Sequence, residues 1–178
     1  MSRCAHNFFC FVGLILSIYT TYVEYQVHLD PNYKAACDID VIQASCTKAF
    51  SSDYGRGVFG IASDISDENI NKNNFYDKNI QDQVKFLIAH CPNSVLGIFY
   101  YLFVYWLGRH WDCPQAAKAG LFFSVISLLP TFWLAYVLTV ILKDVCVVCI
   151  STYCCNFGLI WCNWKRKKAI SMKKDKKE

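Results

Sequence analysis

Four apolar stretches, residues 8–27, 94–107, 116–142 and 145–164, interrupt a chain that is otherwise polar. A helix needs roughly twenty mostly apolar residues to cross the hydrocarbon core of a bilayer, so this pattern predicts four spans. The second is short as written and is expected to be extended by Pro92 and Asn93 at one end and, through snorkelling, by Arg109 at the other. Between the first two spans lies a long polar segment, residues 28–92. Within it the spacing of Ala36, Ile39, Ile42, Ala44 and Phe50 predicts short helical pieces lying over the membrane face. Tyr54-Gly55-Arg56-Gly57 reads as a turn, and the Asp-, Asn- and Lys-rich run 63–82 as a solvated loop. The expected fold is an all-α membrane protein, a four-transmembrane-helix bundle with a helical and loop cap, built as one integral membrane domain over residues 1–178.

Composition agrees with the bilayer as solvent, since 54% of the 178 residues are hydrophobic and only 18% charged. The net charge of +4 is concentrated in the tail, residues 165–178, which reads as a cytoplasmic stop-transfer flank and makes nucleic acid an unexpected partner. With that tail inside, four crossings also put Arg3, Arg109 and Lys118 inside and the acidic-leaning 28–92 segment outside, so every loop agrees with one topology. The first span has the look of a signal-peptide core, but no small-x-small cleavage pattern follows it. Thr20, Thr21, Tyr22 and Glu24 prolong the helix instead, so the span is expected to be retained.

The chain has eleven cysteines, and no two Cys-x-x-Cys pairs stand at zinc-finger spacing, so no metal is expected. Cys146-Val147-Val148-Cys149 opens the last apolar run. A helix N-terminus there, capped by Asp144, would stabilise a thiolate. Helical spacing puts Cys146, Cys149 and Tyr153 on one stripe. Cys10, Cys154, Cys155 and Cys162 read as small packing residues. Cys37, Cys46 and Cys91 fall in the exoplasmic, oxidising segment. On one unbroken helix Cys37 and Cys46 would stand about 13 Å apart, beyond disulfide reach. They are therefore either separated by a break or not partners, and a structural bridge and a mobile electron-collecting pair are both open.

Taken together, Ala36-Cys37-Asp38, Ala44-Ser45-Cys46, Phe50-Ser51-Ser52, Gly55-Arg56-Gly57, Asn93-Ser94 and Cys146-Val147-Val148-Cys149-Ile150-Ser151-Thr152-Tyr153 resemble the vitamin K epoxide reductase family. The resemblance implies a bundle in the endoplasmic reticulum membrane, with both termini cytoplasmic and a pocket for a naphthoquinone ring. Cys149 would meet the quinone or epoxide, and Cys146 would resolve the adduct. Cys46 would reduce the resulting disulfide through a Cys46–Cys146 bridge, and Cys37 would take electrons from a thioredoxin-like lumenal protein. Asn93 and Tyr153 correspond to donors to the two ring oxygens, with Phe50, Tyr54, Leu96, Leu134 and Leu138 as pocket wall. The resemblance implies no tightly bound cofactor: vitamin K quinone or epoxide is the substrate, an external dithiol the reductant. Membrane lipids and coumarin-type inhibitors complete the implied partners.

Three features depart from the family. One residue more separates Cys37 from Cys46 than in the vertebrate pattern, Tyr54 replaces a tryptophan, and the loop after Gly60 is longer and carries Cys91. Lys174-Asp175-Lys176-Lys177-Glu178 is similar to a Lys-x-Lys-x-x retrieval signal. Two other functions fit the same residues: a quinone-dependent disulfide generator for secretory proteins, and a non-catalytic four-span scaffold with a permanent disulfide.

Overall fold

In the computed structural model the described residues are 3–30, 33–38, 45–51 and 93–175, and among them every regular element is helical. They are α1 (Arg3–Leu29), α2 (Cys46–Ser51), α3 (Asn93–Arg109), α4 (Pro114–Ile126), α5 (Leu128–Tyr136), a π turn (Val137–Leu142) and α6 (Val147–Asp175). Three helical stretches are long and apolar enough to cross a membrane: Arg3–Val27, Pro114–Leu142 and Val147–Lys173. The described residues are thus all-helical, and the chain is a multi-pass membrane protein. The second expected span, α3, has 17 residues, or about 26 Å of helix, at the lower limit for a crossing. Tyr54, Cys91, the Gly-Arg-Gly turn and the 63–82 loop lie outside the described residues.

The polarity of the bundle is that of a protein dissolved in lipid. Phe8, Phe11, Ile15, Ile18, Tyr22 and Tyr25 form one outward stripe on α1, and Phe99, Phe122, Leu129, Phe132, Phe157 and Trp161 are exposed on the other helices. Inside sit Ser17, Ser94, Ser124, Ser127, Thr131, Asn156 and Asn163. Where lipid is as apolar as leucine, helices are held by close packing and by polar groups that bond one another across the interface. Asn163 Nδ2 donates to Ser124 Oγ at 2.9 Å, joining α6 to α4. The Tyr101 hydroxyl donates to Asn156 Oδ1 at 2.8 Å, and Asn156 Nδ2 donates to Thr131 Oγ1 at 2.9 Å, tying α3, α6 and α5 together.

The Pro114–Leu142 stretch is not one uninterrupted α-helix. Pro130 has no N–H to give to the turn before it, and its place in the first turn of α5 is one where that donor has no helical partner anyway. The break falls at Ser127, whose hydroxyl donates to the Ser124 carbonyl at 2.8 Å, while Thr131 Oγ1 donates to the Ser127 carbonyl at 2.8 Å. Further on, the π turn ends at Lys143, a non-glycine residue in the left-handed region (φ 51, ψ 38). The Asp144 N–H then returns to the Leu138 carbonyl at 3.2 Å, so the chain reverses within a few residues and presents Val145 and Cys146.

At the opposite end of the bundle Arg3 pairs with Asp112 at 2.8 Å. Arg166 is buried and donates to the carbonyls of Trp111 at 2.9 Å and Leu107 at 3.3 Å, and also to that of His110. Its guanidinium closes the C-terminal carbonyls of α3 that no helical N–H can reach. α6 therefore continues well past 164, and the first part of the tail that sequence reads as flank is helix. Close approach of α1 to α3 requires Gly13, because a Cβ there would fall within the Tyr101 ring. Gly13→Ala is expected to destabilise the bundle by about 1–3 kcal/mol, read as a lower unfolding temperature in detergent, with Tyr101→Leu in the same chain recovering part of the loss.

Candidate active site

The cap is held to the bundle through α2. Asp38 Oδ1 accepts the Thr47 N–H at 3.0 Å, Asp38 Oδ2 accepts the Thr47 hydroxyl, and the Ala35 N–H is shared between Asp38 Oδ2 at 3.2 Å and Thr47 Oγ1 at 3.0 Å. A carboxylate is favoured here because the first N–H groups of a helix lack intrahelical acceptors. Burial alone would raise the Asp38 carboxyl, but the hydrogen bonds from the Thr47 side chain and backbone and from Ala35 outweigh it and hold it below the usual carboxylate range. This knot places Cys37, in a turn, beside Cys46, the first residue of α2; their Cα atoms are 5.9 Å apart and the two are disulfide-bonded. Of the two sequence alternatives for this pair, the one with a break holds. The Tyr19 hydroxyl points at Cys37 Sγ from 3.6 Å, a contact with no signal in the sequence.

Cys146 and Cys149 form the second disulfide, Cα atoms 5.2 Å apart. Cys146 stands immediately before α6, and its carbonyl accepts the Ile150 N–H at 3.1 Å, the first bond of the helix. Its sulfur accepts the Cys149 N–H at 3.2 Å. That is the geometry of an N-cap, in which the side chain satisfies the third N–H of the helix. Cys146 thus takes a capping role that sequence reading expects of Asp144 alone. Cys146 and Cys149, which sequence places on one stripe with Tyr153, stand one turn apart and are bonded to each other. Cys146 Sγ is fully buried and meets Cys46 Sγ at 3.8 Å, while the Ser45 N–H donates to the Val145 carbonyl at 3.0 Å.

Cys149 and Tyr153 face a cavity of about 380 Å³ lined by residues of all the helical elements. Phe50, Asn93, Leu96, Leu134 and Leu138 also line it. Seven residues nominated by sequence resemblance thus surround one space, and Cys37, Cys46 and Cys146 stand behind it. Val137, Leu138 and Leu142 reach the wall from the π turn, whose extra residue per turn shifts the phase of the crossing where it meets the cavity. The Tyr153 hydroxyl is buried and has no hydrogen-bond partner among the described residues. An unpaired buried hydroxyl costs on the order of 1–3 kcal/mol, which a ligand oxygen would offset. Cys37, Asp38 and Cys46 bring two sulfurs and a carboxylate oxygen within 4.8 Å of one another, but the sulfurs are bonded to each other and the carboxylate to Thr47 and Ala35.

Sequence reading missed a polar side of the cavity made by Glu24, Ser94, Thr131 and Asn156. The available signal was the presence of polar residues inside apolar spans, which are costly there unless paired or used. Cys10, Cys155 and Cys162 are buried as packing residues, whereas Cys154 is exposed on the outer face of α6.

Comparison with known proteins gives one consistent result. The pattern of the vitamin K epoxide reductase family matches residues 6–164. The vitamin K epoxide reductase complex subunit 1 of Mus musculus is 30% identical over 162 residues, 88% of this chain and 85% of its own. That of Rattus norvegicus is 29% identical over 170 residues, 93% of this chain and 90% of its own.

Two outcomes test the geometry. In a chain with Cys37→Ala and Cys149→Ala, mild oxidation is expected to join Cys46 to Cys146, seen as one linked peptide pair by mass spectrometry; failure to link would mean that the two sulfurs do not meet. Because the Asp38 carboxyl is depressed in the folded cap, the stability it contributes is complete above the ordinary carboxylate pKa and is lost as pH falls through the lower folded value. Reduction of the Cys37–Cys46 bridge by a phosphine should therefore accelerate below about pH 4, and Asp38→Asn should be fast at every pH.

Proposed function

This chain belongs to the vitamin K epoxide reductase family, and from that premise we propose that it is a membrane thiol oxidoreductase that reduces vitamin K 2,3-epoxide to the quinone and the quinone to the hydroquinone. The observation that carries this reading is the continuity of sulfur from the cap to the cavity: Cys37 bonded to Cys46, Cys46 Sγ 3.8 Å from Cys146 Sγ, and Cys149 beside the unpartnered Tyr153 hydroxyl. An external dithiol opens Cys37–Cys46. The Cys46 thiolate attacks Cys146 Sγ, forming the Cys46–Cys146 bond and releasing Cys149 as a thiolate; Cys37 then attacks Cys46 and frees Cys146. Cys149 adds to the ring, and Cys146 attacks Cys149 Sγ, re-forming their disulfide and leaving two electrons on the substrate. The cap of α6 favours the anion that this sequence requires, since sulfur there faces the positive end of the helix.

Asn93 and Tyr153 serve as donors to the two ring oxygens, stabilising charge where it develops. Phe50, Leu96, Leu134 and Leu138 receive the ring, and its isoprenoid tail passes toward lipid. The cavity volume of about 380 Å³ lies within the range of small-ligand sites. Coumarin-type inhibitors would compete for the same space. The protein resides in the endoplasmic reticulum membrane, crossing four times with both termini cytoplasmic. α3 is the second crossing: it runs from Ser94, bonded to Thr21, to Leu107, whose carbonyl Arg166 holds at the other end. The reductant is a thioredoxin-like lumenal protein that docks at Cys37.

Purified protein in lipid, given epoxide and dithiothreitol, should turn over and lose activity entirely on Cys149→Ala. Tyr153→Phe should reduce kcat by roughly tenfold to a hundredfold, as loss of one oxyanion donor does at the lower end of its range. Cys46→Ala should retain turnover with a membrane-permeant dithiol and lose it with a protein donor. No epoxide turnover with intact quinone reduction would point instead to a quinone-dependent disulfide generator.

A further inference from the structure

Glu24 is the only carboxyl group among the described residues that line the cavity. It lies in the last turns of α1, at the same end of the bundle as the cysteine pairs, and it accepts a hydrogen bond on Oε2 from the hydroxyl of Ser94, the neighbour of Asn93. Ser94 is buried and in turn accepts from Thr21 Oγ1 at 3.0 Å, and Thr21 Oγ1 also lies 2.9 Å from the Ser17 carbonyl. A carboxyl group in an apolar span is expensive and is ordinarily functional. Its contacts orient it toward the end of the cavity where Asn93 stands.

We infer that Glu24, positioned by Ser94, is the acid that protonates the substrate oxygen during epoxide reduction. The inference rests on the reaction proposed above and accounts for a proton that the thiols do not supply. Reducing an epoxide to a quinone takes two electrons and two protons and releases one water. The Cys149 thiolate attacks a ring carbon, the C–O bond breaks, and the alkoxide takes the proton of Glu24. Cys146 then loses its proton as its sulfur attacks Cys149 Sγ. The C–S electron pair returns to the ring, the hydroxyl departs, and the Cys146 proton completes the water molecule. Cys149, having entered as an anion, brings no proton, so an acid must provide the other one. Glu24 is recharged from water on the cysteine side. Serine, threonine and asparagine can orient an oxygen but do not yield a proton at working pH. The other titratable groups that line the cavity are Tyr100 and Tyr101 of α3 and Cys149 and Tyr153 of α6; the described parts of α2, α4, α5 and the π turn contribute none.

The test is single turnover of epoxide by the fully reduced, full-length protein in lipid, across pH. Glu24→Gln keeps an oxygen to accept the Ser94 hydroxyl and removes only the proton. It should lower the rate of the chemical step by about a hundredfold, as loss of a general acid does, with KM within about twofold. The alkaline decline imposed by a protonated acid should disappear, and Glu24→Asp should recover part of the rate. Unchanged unfolding temperature and unchanged alkylation of Cys149 by iodoacetamide establish that Glu24→Gln leaves the fold intact. A Glu24→Gln protein with wild-type rate and pH profile would overturn the role of Glu24 alone. A wild-type protein without turnover of epoxide or quinone would overturn the underlying reaction and this inference with it.

Discussion

The contact on which the rest of the structure turns is that between Cys46 Sγ and Cys146 Sγ, 3.8 Å apart and fully buried. Two elements of opposite character have to meet there. α2 belongs to a polar cap, held by the Asp38–Thr47–Ala35 hydrogen bonds, and α6 begins at the mouth of a membrane span. The Ser45 N–H to Val145 carbonyl bond fixes their register beside the sulfurs. A shift of one residue in either strand of this junction would move a sulfur by more than 3 Å and break the path. The left-handed turn at Lys143 is therefore kept despite its cost of about 1–2 kcal/mol for a non-glycine residue, because it delivers Cys146 immediately before the helix.

The N-cap is also where structure and chemistry coincide. In a water-soluble helix that place is taken by Ser, Thr, Asp or Asn, which satisfy the third N–H with oxygen. Here sulfur takes the Cys149 N–H. The substitution weakens the cap as a hydrogen bond but puts one of the sulfurs that the proposed reaction moves between disulfide and thiolate at the positive end of a long helix, where an anion is stabilised. Cys149 then falls on the first turn, facing the cavity with Tyr153 one turn further on.

Much of this was legible in the sequence, and the division has a physical basis. Spans are read from length and apolarity, and the stretches 8–27, 116–142 and 145–164 each lie largely within a helical stretch of sufficient length. The 94–107 stretch was the shortest and yields the 17-residue α3. Helical period assigned Cys146, Cys149 and Tyr153 to one stripe; Cys146 and Cys149 are bonded to each other, and Cys149 and Tyr153 line the cavity. The π turn and the break at Ser127 escaped because both depend on how the third crossing packs around the cavity. Pro130 signals only that a turn is weakened, not where the chain bends. The polar lining from Ser94, Thr131 and Asn156 was passed over because each residue alone is common in membrane helices. Their shared interface appears only when α3, α5 and α6 are placed together.

The placement of Glu24 follows from the same meeting of two solvents. In the proposed reaction a substrate with an isoprenoid tail arrives from lipid, yet each reduction consumes electrons and protons that originate in water. Electrons can travel by disulfide exchange through the buried sulfurs, since a thiolate carries them without water being present. A proton has to be held at the ring itself, and in the proposed reaction Glu24 of α1, fixed by Ser94 of α3, holds it while the sulfurs run along α2 and α6. The sulfurs and the carboxyl group thus reach the cavity from different helices, the former from α2 and α6 and the latter from α1.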